Sequence, residues 1–102
     1  ETTYFGFICF HYQQSAEKYL KAYIVAKGLR FEKIHYLDAL RKICLSSDSA
    51  FEDILDECIY LSDFYVETRY PPMIPSELSR SESQKAKEAS EKIGQLVKNC
   101  LQ

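Results

Sequence analysis

Three polar residues of the first predicted helix follow helical spacing and therefore share one face: Gln14, Lys18 and Lys21. Two lysine ammonium groups about one turn apart can bind a polyphosphate together, and the amide of Gln14 adds a neutral donor. The alternative is a solvated face, which is the more ordinary use of lysines at this spacing. Glu17 lies four residues before Lys21 and can also pair with it. The spacing alone leaves both readings open.

Arg69 and Tyr70 stand directly before two prolines in the segment VETRYPPMIP, which holds all three prolines of the chain. The prolines predict the end of a helix here, whatever the protein does. The guanidinium of Arg69 can cap the carbonyls of that helix, pair with Glu17 inside the fold, or bind a phosphate with two parallel donors. Tyr70 can stack on a base or simply pack. These alternatives remain open.

Each of the two histidines has a structural and a functional reading. His35 begins the second predicted helix, where an imidazole can satisfy backbone groups, pack against a tyrosine, or move a proton. Both a structural role and a role in a binding or catalytic site stay open for His35. His11 lies on the polar face of the first helix, and we expect it to be exposed.

Four helices must position these residues. Apolar residues at intervals of three and four predict the first helix over about 3–27, with Gly28 ending it, and the second over about 35–45. Capping boxes predict the start of the third helix at Ser49 with Glu52 and of the fourth at Ser79 with Glu82. The third helix is expected to end near 68–70, before the prolines. The residues predicted to face the core are Phe5, Ile8, Tyr12, Ala16, Tyr19, Tyr23, Ala26, Leu37, Leu40, Ile43, Cys44, Phe51, Leu55, Cys58, Leu61, Tyr65, Ala86, Ala89, Ile93, Leu96, Val97 and Cys100.

Four helices with short links bury their apolar faces most simply as an antiparallel up-and-down four-helix bundle, so we predict an all-α fold. The 102 residues are enough for a single domain over 1–102. The chain opens without methionine, inside a helix, and we expect native residues to precede Glu1. Four aromatic residues are left over from the core faces and predict a second buried face, hence a homodimer: Tyr4, Phe7, Phe10 and Tyr60.

Composition narrows the class of partner. A formal net charge of −2 gives no general basic surface, so contact with a nucleic acid must come from a local cluster of lysine and arginine. The four cysteines show no CxxC spacing and no paired histidine, which predicts free, mostly buried thiols, no metal site and a cytoplasmic location. No apolar run approaches the ~20 residues needed to cross a bilayer. We therefore expect no contact with a membrane.

Three segments in a fixed order resemble HEPN domains, named for higher eukaryotes and prokaryotes nucleotide-binding: FHYQQSAEKYLKAYIVAKG, IHYLDAL and ETRYPPMIP. The resemblance implies a helical bundle that dimerises, found in prokaryotes beside a minimal nucleotidyltransferase and in some larger eukaryotic proteins as a nucleotide-binding module. One departure is Ile34, where the family often has threonine. The residues that match are Gln14, Ala16, Glu17, Lys18, Lys21, His35, Leu37, Arg69, Tyr70 and Pro71.

Many HEPN proteins are metal-independent ribonucleases, and the resemblance implies a motif in which a histidine follows an arginine by a few residues near the dimer seam. Arg30 and His35 have that spacing. Histidine can move a proton at the 2′-hydroxyl, and arginine can hold the crowded anionic phosphate. However, Arg30 follows Gly28 in a link, where spacing does not place two side chains on one face. Arg30 and His35 are therefore candidates for catalysis. The alternative interpretation is a solvent-exposed arginine beside a structural histidine.

The leading hypothesis is a HEPN protein that binds nucleotide or RNA phosphate near the dimer groove and works with a nucleotidyltransferase, in a two-component or toxin–antitoxin-like system. Phosphate contacts are assigned to Lys18, Lys21 and Arg69, with Gln14 as a neutral donor. His35 and Tyr70 are expected to line the pocket. The alternatives are a metal-independent ribonuclease toxin and a non-catalytic dimerisation module. No cofactor is expected in any of these.

Overall fold

The computed structural model describes residues 2–30, 33–64 and 80–102, with side chains from residue 5 onward. In chain order they form α1 (Thr2–Ala26), α2 (Leu37–Leu45), a 3-10 helix (Ser49–Ile54), α3 (Leu55–Ser62) and α4 (Arg80–Cys100). No strand occurs among these residues, and the predicted all-α class is confirmed. Arg69, Tyr70 and the predicted cap residue Ser79 lie outside the described residues.

The described helices pack as a bundle. α1 lies along α4 and also packs against α2, while α3 packs against α2 and α4. The short 3-10 helix adds contacts to α2, α3 and α4. None of the helices in the described part of the chain is both long and apolar enough to span a bilayer.

A glycine ends α1, as the sequence predicted. Gly28 has φ of +65°, and the backbone amide of Leu29 donates to the carbonyl of Ile24 at 2.9 Å while that of Gly28 donates to Val25 at 3.1 Å. This pair of reversed bonds is a Schellman motif, in which the glycine takes the left-handed conformation that other residues avoid. The motif stops the long helix and turns the chain toward the link that leads to α2.

The second helix begins two residues later than predicted. α2 starts at Leu37, after Tyr36 in an extended conformation, so His35 lies in the link and not in the first turn. The Leu37 amide donates to Ser62 Oγ on α3 at 3.3 Å. Here a side chain from a neighbouring helix satisfies one of the amides that begin a helix, while Tyr36 at the cap position makes no side-chain capping bond.

The predicted capping box of Ser49 and Glu52 is wrong. Asp48 takes the cap position, and its Oδ1 accepts from the Ala50 amide at 2.9 Å. Aspartate one residue earlier is an equally good cap, and Glu52 instead lies 3.6 Å from the guanidinium of Arg41. The chain then runs as a 3-10 helix before α3, which ends at Ser62 and is followed by a turn at 63–64. The predicted end near 68–70 lies outside the described residues.

The buried face of α1 matches the predicted one only in part: Ala16 and Tyr23 are buried as predicted, at 0% and 1% exposed, but the centre of the face is different. Cys9, Gln13, Ala16, Leu20 and Ile24 are each 0% exposed. At 100° per residue this face is rotated by about 80° from the predicted stripe, which explains why the predicted core residue Ala26 is exposed. The rotation also brings polar side chains into the interior. In the other helices the predicted core is confirmed at Leu37, Leu40, Cys44, Phe51, Cys58, Leu61, Ala86, Ala89, Ile93 and Val97.

Of the four aromatic residues that the sequence places outside the predicted core faces, Tyr60 packs within the fold whereas Phe7 is exposed. Tyr60 packs edge-on against Phe64, with ring centroids 5.3 Å apart, and its hydroxyl donates to Glu82 Oε1 on α4 at 2.6 Å. Tyr60 therefore joins α3 to α4 and needs no second subunit to bury it. Phe7 is 69% exposed on α1, and Phe10 is half-buried.

Arg41 is a buried cation that the sequence did not reveal. It is 4% exposed, and its Nε donates to Asp38 at 2.8 Å while Nη1 lies 3.5 Å from the carbonyl of Phe51. A buried guanidinium needs such partners. Arg41 thereby ties α2 to the 3-10 helix.

The four cysteines are free, as predicted, and three of them are buried. Burial raises the pKa of the Cys44 and Cys58 thiols to about 12.

Because the thiolate is the reactive form, we expect Cys100, the half-buried cysteine, to react first with a disulfide reagent in the native protein. Ellman's reagent with peptide mass spectrometry measures this, and unfolding in urea should release all four thiols. Rapid native labelling at Cys44 or Cys58 would contradict the described burial.

Gly94 on α4 lies close to the ring of Tyr19 on α1. A methyl group at this position would lie 2.6 Å from the ring of Tyr19. We expect Gly94→Ala to lower the free energy of unfolding by about 1–3 kcal/mol, because the ring must move. In a Tyr19→Ala background the same change should stabilise the protein by up to about 1 kcal/mol, since alanine is the better helix former. Urea denaturation of the four proteins of this cycle measures the coupling. Equal effects of Gly94→Ala in both backgrounds would contradict it.

Candidate functional site

A buried carboxylate lies at the centre of the strongest polar cluster. The side chain of Glu17 is 7% exposed, and its Oε2 accepts from Lys21 Nζ at 2.8 Å and lies 2.9 Å from His35 Nδ1. Its Oε1 lies 3.4 Å from the amide nitrogens of both Gln13 and Gln14. We call these five residues the Glu17 cluster. A carboxylate removed from water requires such partners, and here both of its oxygens have them.

Two elements build the Glu17 cluster. Gln13, Glu17 and Lys21 lie four residues apart on α1, so helical geometry places their side chains in one row. His35 reaches Glu17 from the link before α2, where Gln13 also approaches the His35 carbonyl at 3.5 Å. The amide of Gln14 donates to Gln13 Oε1 at 2.7 Å. The cluster therefore ties the link to α1 through both a side chain and the backbone of His35.

Glu17 is held in its ionised form. Burial on its own raises the pKa of this carboxyl group, but the hydrogen bonds from Lys21 and His35, the charge of Lys21 and the amide of Gln13 together outweigh burial. The pKa of Glu17 consequently lies below its ordinary value. An ionised carboxylate accepts hydrogen bonds and cannot donate them, which fixes the direction of every contact it makes.

The cluster is open to solvent on the side of its donors. The side chain of Lys21 is 22% exposed and that of His35 is 44% exposed, whereas Gln13 is 0% exposed. Lysine carries three donor protons on its ammonium group. Lys21 and His35 thus present polar groups at the surface from a fixed, buried anchor.

The structure brings together three of the residues singled out in the sequence and separates others. Gln14, Lys21 and His35 belong to the Glu17 cluster, whereas Lys18 is exposed on α1. Arg30 is exposed in the segment after Gly28. The predicted partners Arg69 and Tyr70 lie outside the described residues, so the expected pairing of Arg69 with Glu17 stays a prediction.

Gln13 was missed in the sequence. Its burial follows from the rotated face of α1, and its signal was the row of polar residues at 13, 17 and 21 beside the apolar face. Within the described ranges no group of three or more His, Cys, Asp or Glu residues is placed to hold a metal ion. The Glu17 cluster itself offers charged and neutral hydrogen-bonding groups around one carboxylate.

Comparison with known proteins gives one match. The family model of the HEPN domain matches residues 1–100. No curated protein and no solved structure matches the chain.

The lowered pKa of Glu17 makes a prediction about acid stability. A group whose pKa is lower in the folded protein stabilises the fold above its ordinary pKa of 4.5, and that contribution is lost as the pH falls through the folded value. We expect Glu17→Gln to lower the free energy of unfolding by about 1–3 kcal/mol near neutral pH, and the difference from wild type to shrink below about pH 4. Urea denaturation followed by circular dichroism from neutral to acidic pH measures both. A constant difference across this range would show that Glu17 is not the titrating group.

Proposed function

Because the chain belongs to the HEPN domain family, whose members have nucleotide- and RNA-related functions, we propose that it binds the phosphate groups of a nucleotide or of RNA at the Glu17 cluster. The observation that carries the proposal is the pairing of two side-chain donors on a single buried oxygen. Lys21 Nζ and His35 Nδ1 both lie within 2.9 Å of Glu17 Oε2. Two groups anchored in this way keep their positions before a ligand arrives, which reduces the entropy lost on binding.

Charge supports a site for an anion when Lys18 is included. Glu17 offsets Lys21, and exposed Lys18 on the same helix then leaves one excess positive charge when His35 is neutral. Since the whole chain carries a formal net charge of −2, this local excess runs against the average of the molecule. Phosphate would be held by Lys18 and Lys21. The two N–H groups of the Gln14 amide face Gln13 Oε1 and Glu17 Oε1, so Gln14 adds a neutral donor by turning one of them to the ligand.

We extend the proposal to residues outside the described part of the chain. Arg69 supplies a further phosphate contact and Tyr70 lines the same pocket. The resemblance of their segment to the family supports these roles. Both assignments are tested by the substitutions below.

The proposal also concerns the assembly. We propose a homodimer in the cytoplasm that works with a nucleotidyltransferase partner, as in a two-component or toxin–antitoxin-like system. The exposed Phe7 on α1 supports a second subunit. Phe7 is 69% exposed, and a partner that covers its ring removes this apolar surface from water.

A metal-independent ribonuclease is the second candidate function. It is favoured by the bond between His35 and a carboxylate, the arrangement that orients a histidine for proton transfer. It predicts RNA cleavage in the presence of a chelator that is lost in His35→Ala and in Arg30→Ala. A non-catalytic dimerisation module predicts instead neither cleavage nor binding.

Substitution of Lys21 tests the proposed site. We expect Lys21→Ala to weaken binding of nucleoside triphosphates or short RNAs about tenfold to a hundredfold, because a charge-assisted hydrogen bond is lost. Arg69→Ala should act in the same direction. Titration calorimetry with the four nucleoside triphosphates and a panel of short RNAs measures both.

The matched control is Lys42→Ala. Lys42 lies on α2, its side chain is 68% exposed, and it pairs only loosely with Asp38 at 3.6 Å. The substitution Lys42→Ala removes one lysine from the surface and leaves the five residues of the Glu17 cluster unchanged. The proposal fails if no ligand of the panel binds, or if Lys42→Ala weakens binding as much as Lys21→Ala does. Thermal melts of each variant separate lost binding from lost folding.

A further inference from the structure

We propose that the groove between α3 and α4 is a docking site for an arginine side chain of a protein partner. The groove, which we call the α3–α4 groove, has a volume of about 330 Å³, at the lower end of the range for ligand pockets, and the buried Ala89 lies at its floor. This site is separate from the proposed phosphate site, since the described residues that line the groove include no member of the Glu17 cluster.

The segment that forms the α3 side of the groove is strongly acidic. Residues 49–64 include five acidic residues and no lysine, arginine or histidine, whereas the whole chain has a formal net charge of only −2. The five are Glu52, Asp53, Asp56, Glu57 and Asp63. The lining of the groove itself has three acidic residues against two lysines, which gives a formal net charge of −1. Charge therefore favours a cationic partner here and disfavours RNA, whose phosphates are anionic.

Two lysines of α4 show that this surface attracts cations. Lys92 Nζ lies 3.1 Å from Glu57 Oε2 and 3.9 Å from Asp53 Oδ2. The pKa of Lys92 is raised, first by its hydrogen bond to Glu57 and then by neighbouring acidic charges, which together outweigh desolvation. Lys85 Nζ lies 4.4 Å from the centroid of the Tyr60 ring, a cation–π contact. The groove therefore offers carboxylates and an aromatic face, the two kinds of group that bind a guanidinium.

Glu57 has an acceptor that the fold does not use. Its Oε1 is buried and has no hydrogen-bond partner within the described part of the chain, whereas Oε2 accepts from Lys92. A buried carboxylate oxygen without a donor is costly, so a ligand that supplies one gains from it. A guanidinium can donate to both oxygens of a carboxylate at once, whereas an ammonium group is a compact point charge. The unpaired oxygen thus favours arginine over lysine.

Lys92 can make room for the incoming guanidinium. Its side chain is 45% exposed, and Asp53, which is 76% exposed, already lies beside it as a second partner. When Lys92 moves to Asp53, rotation about the last side-chain bond of Glu57, a torsion with broad preferences, turns Oε1 toward the groove. The arginine takes the place of Lys92 on Glu57, and its aliphatic stem covers Ala89. Glu57, Lys92 and the arginine are then all paired.

Titration with three matched peptides tests the occupant. The probes are GRGRGRG with acetylated and amidated ends, the same peptide with lysine in place of arginine, and the same peptide with citrulline, which has the shape of arginine without its charge. We expect the arginine peptide to shift the amide signals of 53–60 and 85–92 in ¹⁵N-labelled protein and to bind about threefold to tenfold tighter than the lysine peptide, the range for one more hydrogen bond. The citrulline peptide should not bind. Equal affinity of the arginine and lysine peptides, or shifts confined to another face, would overturn the proposal.

Three glutamate variants test the residues. Glu57→Gln should weaken binding of the arginine peptide about tenfold or more, because a hydrogen bond to a charged group is lost. Glu88→Gln, at the exposed rim, should weaken it about twofold to fivefold, as expected for an exposed charge pair. The matched control is Glu91→Gln, since Glu91 is exposed on the same helix but lies outside the groove, and we expect a change of less than about twofold at physiological salt. If Glu57→Gln does not fold, the other two variants decide, and equal effects of both would overturn the site.

Titration with RNA separates this site from the phosphate site. The RNA ACAC should leave the signals of 53–60 and 85–92 in place, whether or not it binds the Glu17 cluster. RNA that shifts these signals would overturn the assignment of a protein partner with a basic side chain. Shifts of the same signals with protein concentration alone would overturn it in favour of a second copy of this chain.

Discussion

The ionised carboxylate of Glu17 is the constraint on which the rest of the structure depends. Its side chain is 7% exposed, and an unpaired charge in that position would oppose folding strongly. Lys21 and Gln13 lie one turn to either side on α1, but Oε2 also takes a partner from outside the helix, His35. Satisfying Glu17 therefore requires the link before α2 to return to the middle of α1. This requirement joins the local geometry of one helix to the path of the chain.

Two glycines allow that path. Gly28, with φ of +65°, ends α1 and turns the chain back along the helix it has just left. Gly94 lets α4 approach α1 so closely that an added methyl group would lie 2.6 Å from the Tyr19 ring. One glycine thus positions the link that carries His35, and the other holds α1, which carries Glu17, against its largest neighbour. The polar cluster is thus built on a helix that packs along α4 and against α2, and such support from neighbouring elements keeps side chains in place.

The sequence predicted the helices, most of the core and the end of α1, because these depend on periodicity and on glycine chemistry that act locally. It did not predict the phase of the buried face of α1. Tyr12 and Tyr19 biased the predicted stripe toward their own side, where they are only half-buried, whereas tertiary packing buries Gln13 and Glu17. The cap of the 3-10 helix was misassigned because Asp48 and Ser49 are adjacent and are both good caps. Which of two chemically equivalent neighbours is used is decided by the surrounding packing and not by the local pattern.

The same rotation of α1 changes how the basic residues are interpreted. A row of Gln14, Lys18 and Lys21 facing water would be a simple cationic surface, and Glu17 would only reduce its charge. In the structure Lys21 turns to Glu17, so the carboxylate weakens the attraction for a phosphate but fixes the positions of the donors around it. A site optimised only for affinity to phosphate gains nothing from a buried negative charge. What the buried carboxylate does supply is rigidity, because Lys21 and His35 are both held on its Oε2, so the cluster trades attraction for an anion against fixed positions of its side chains.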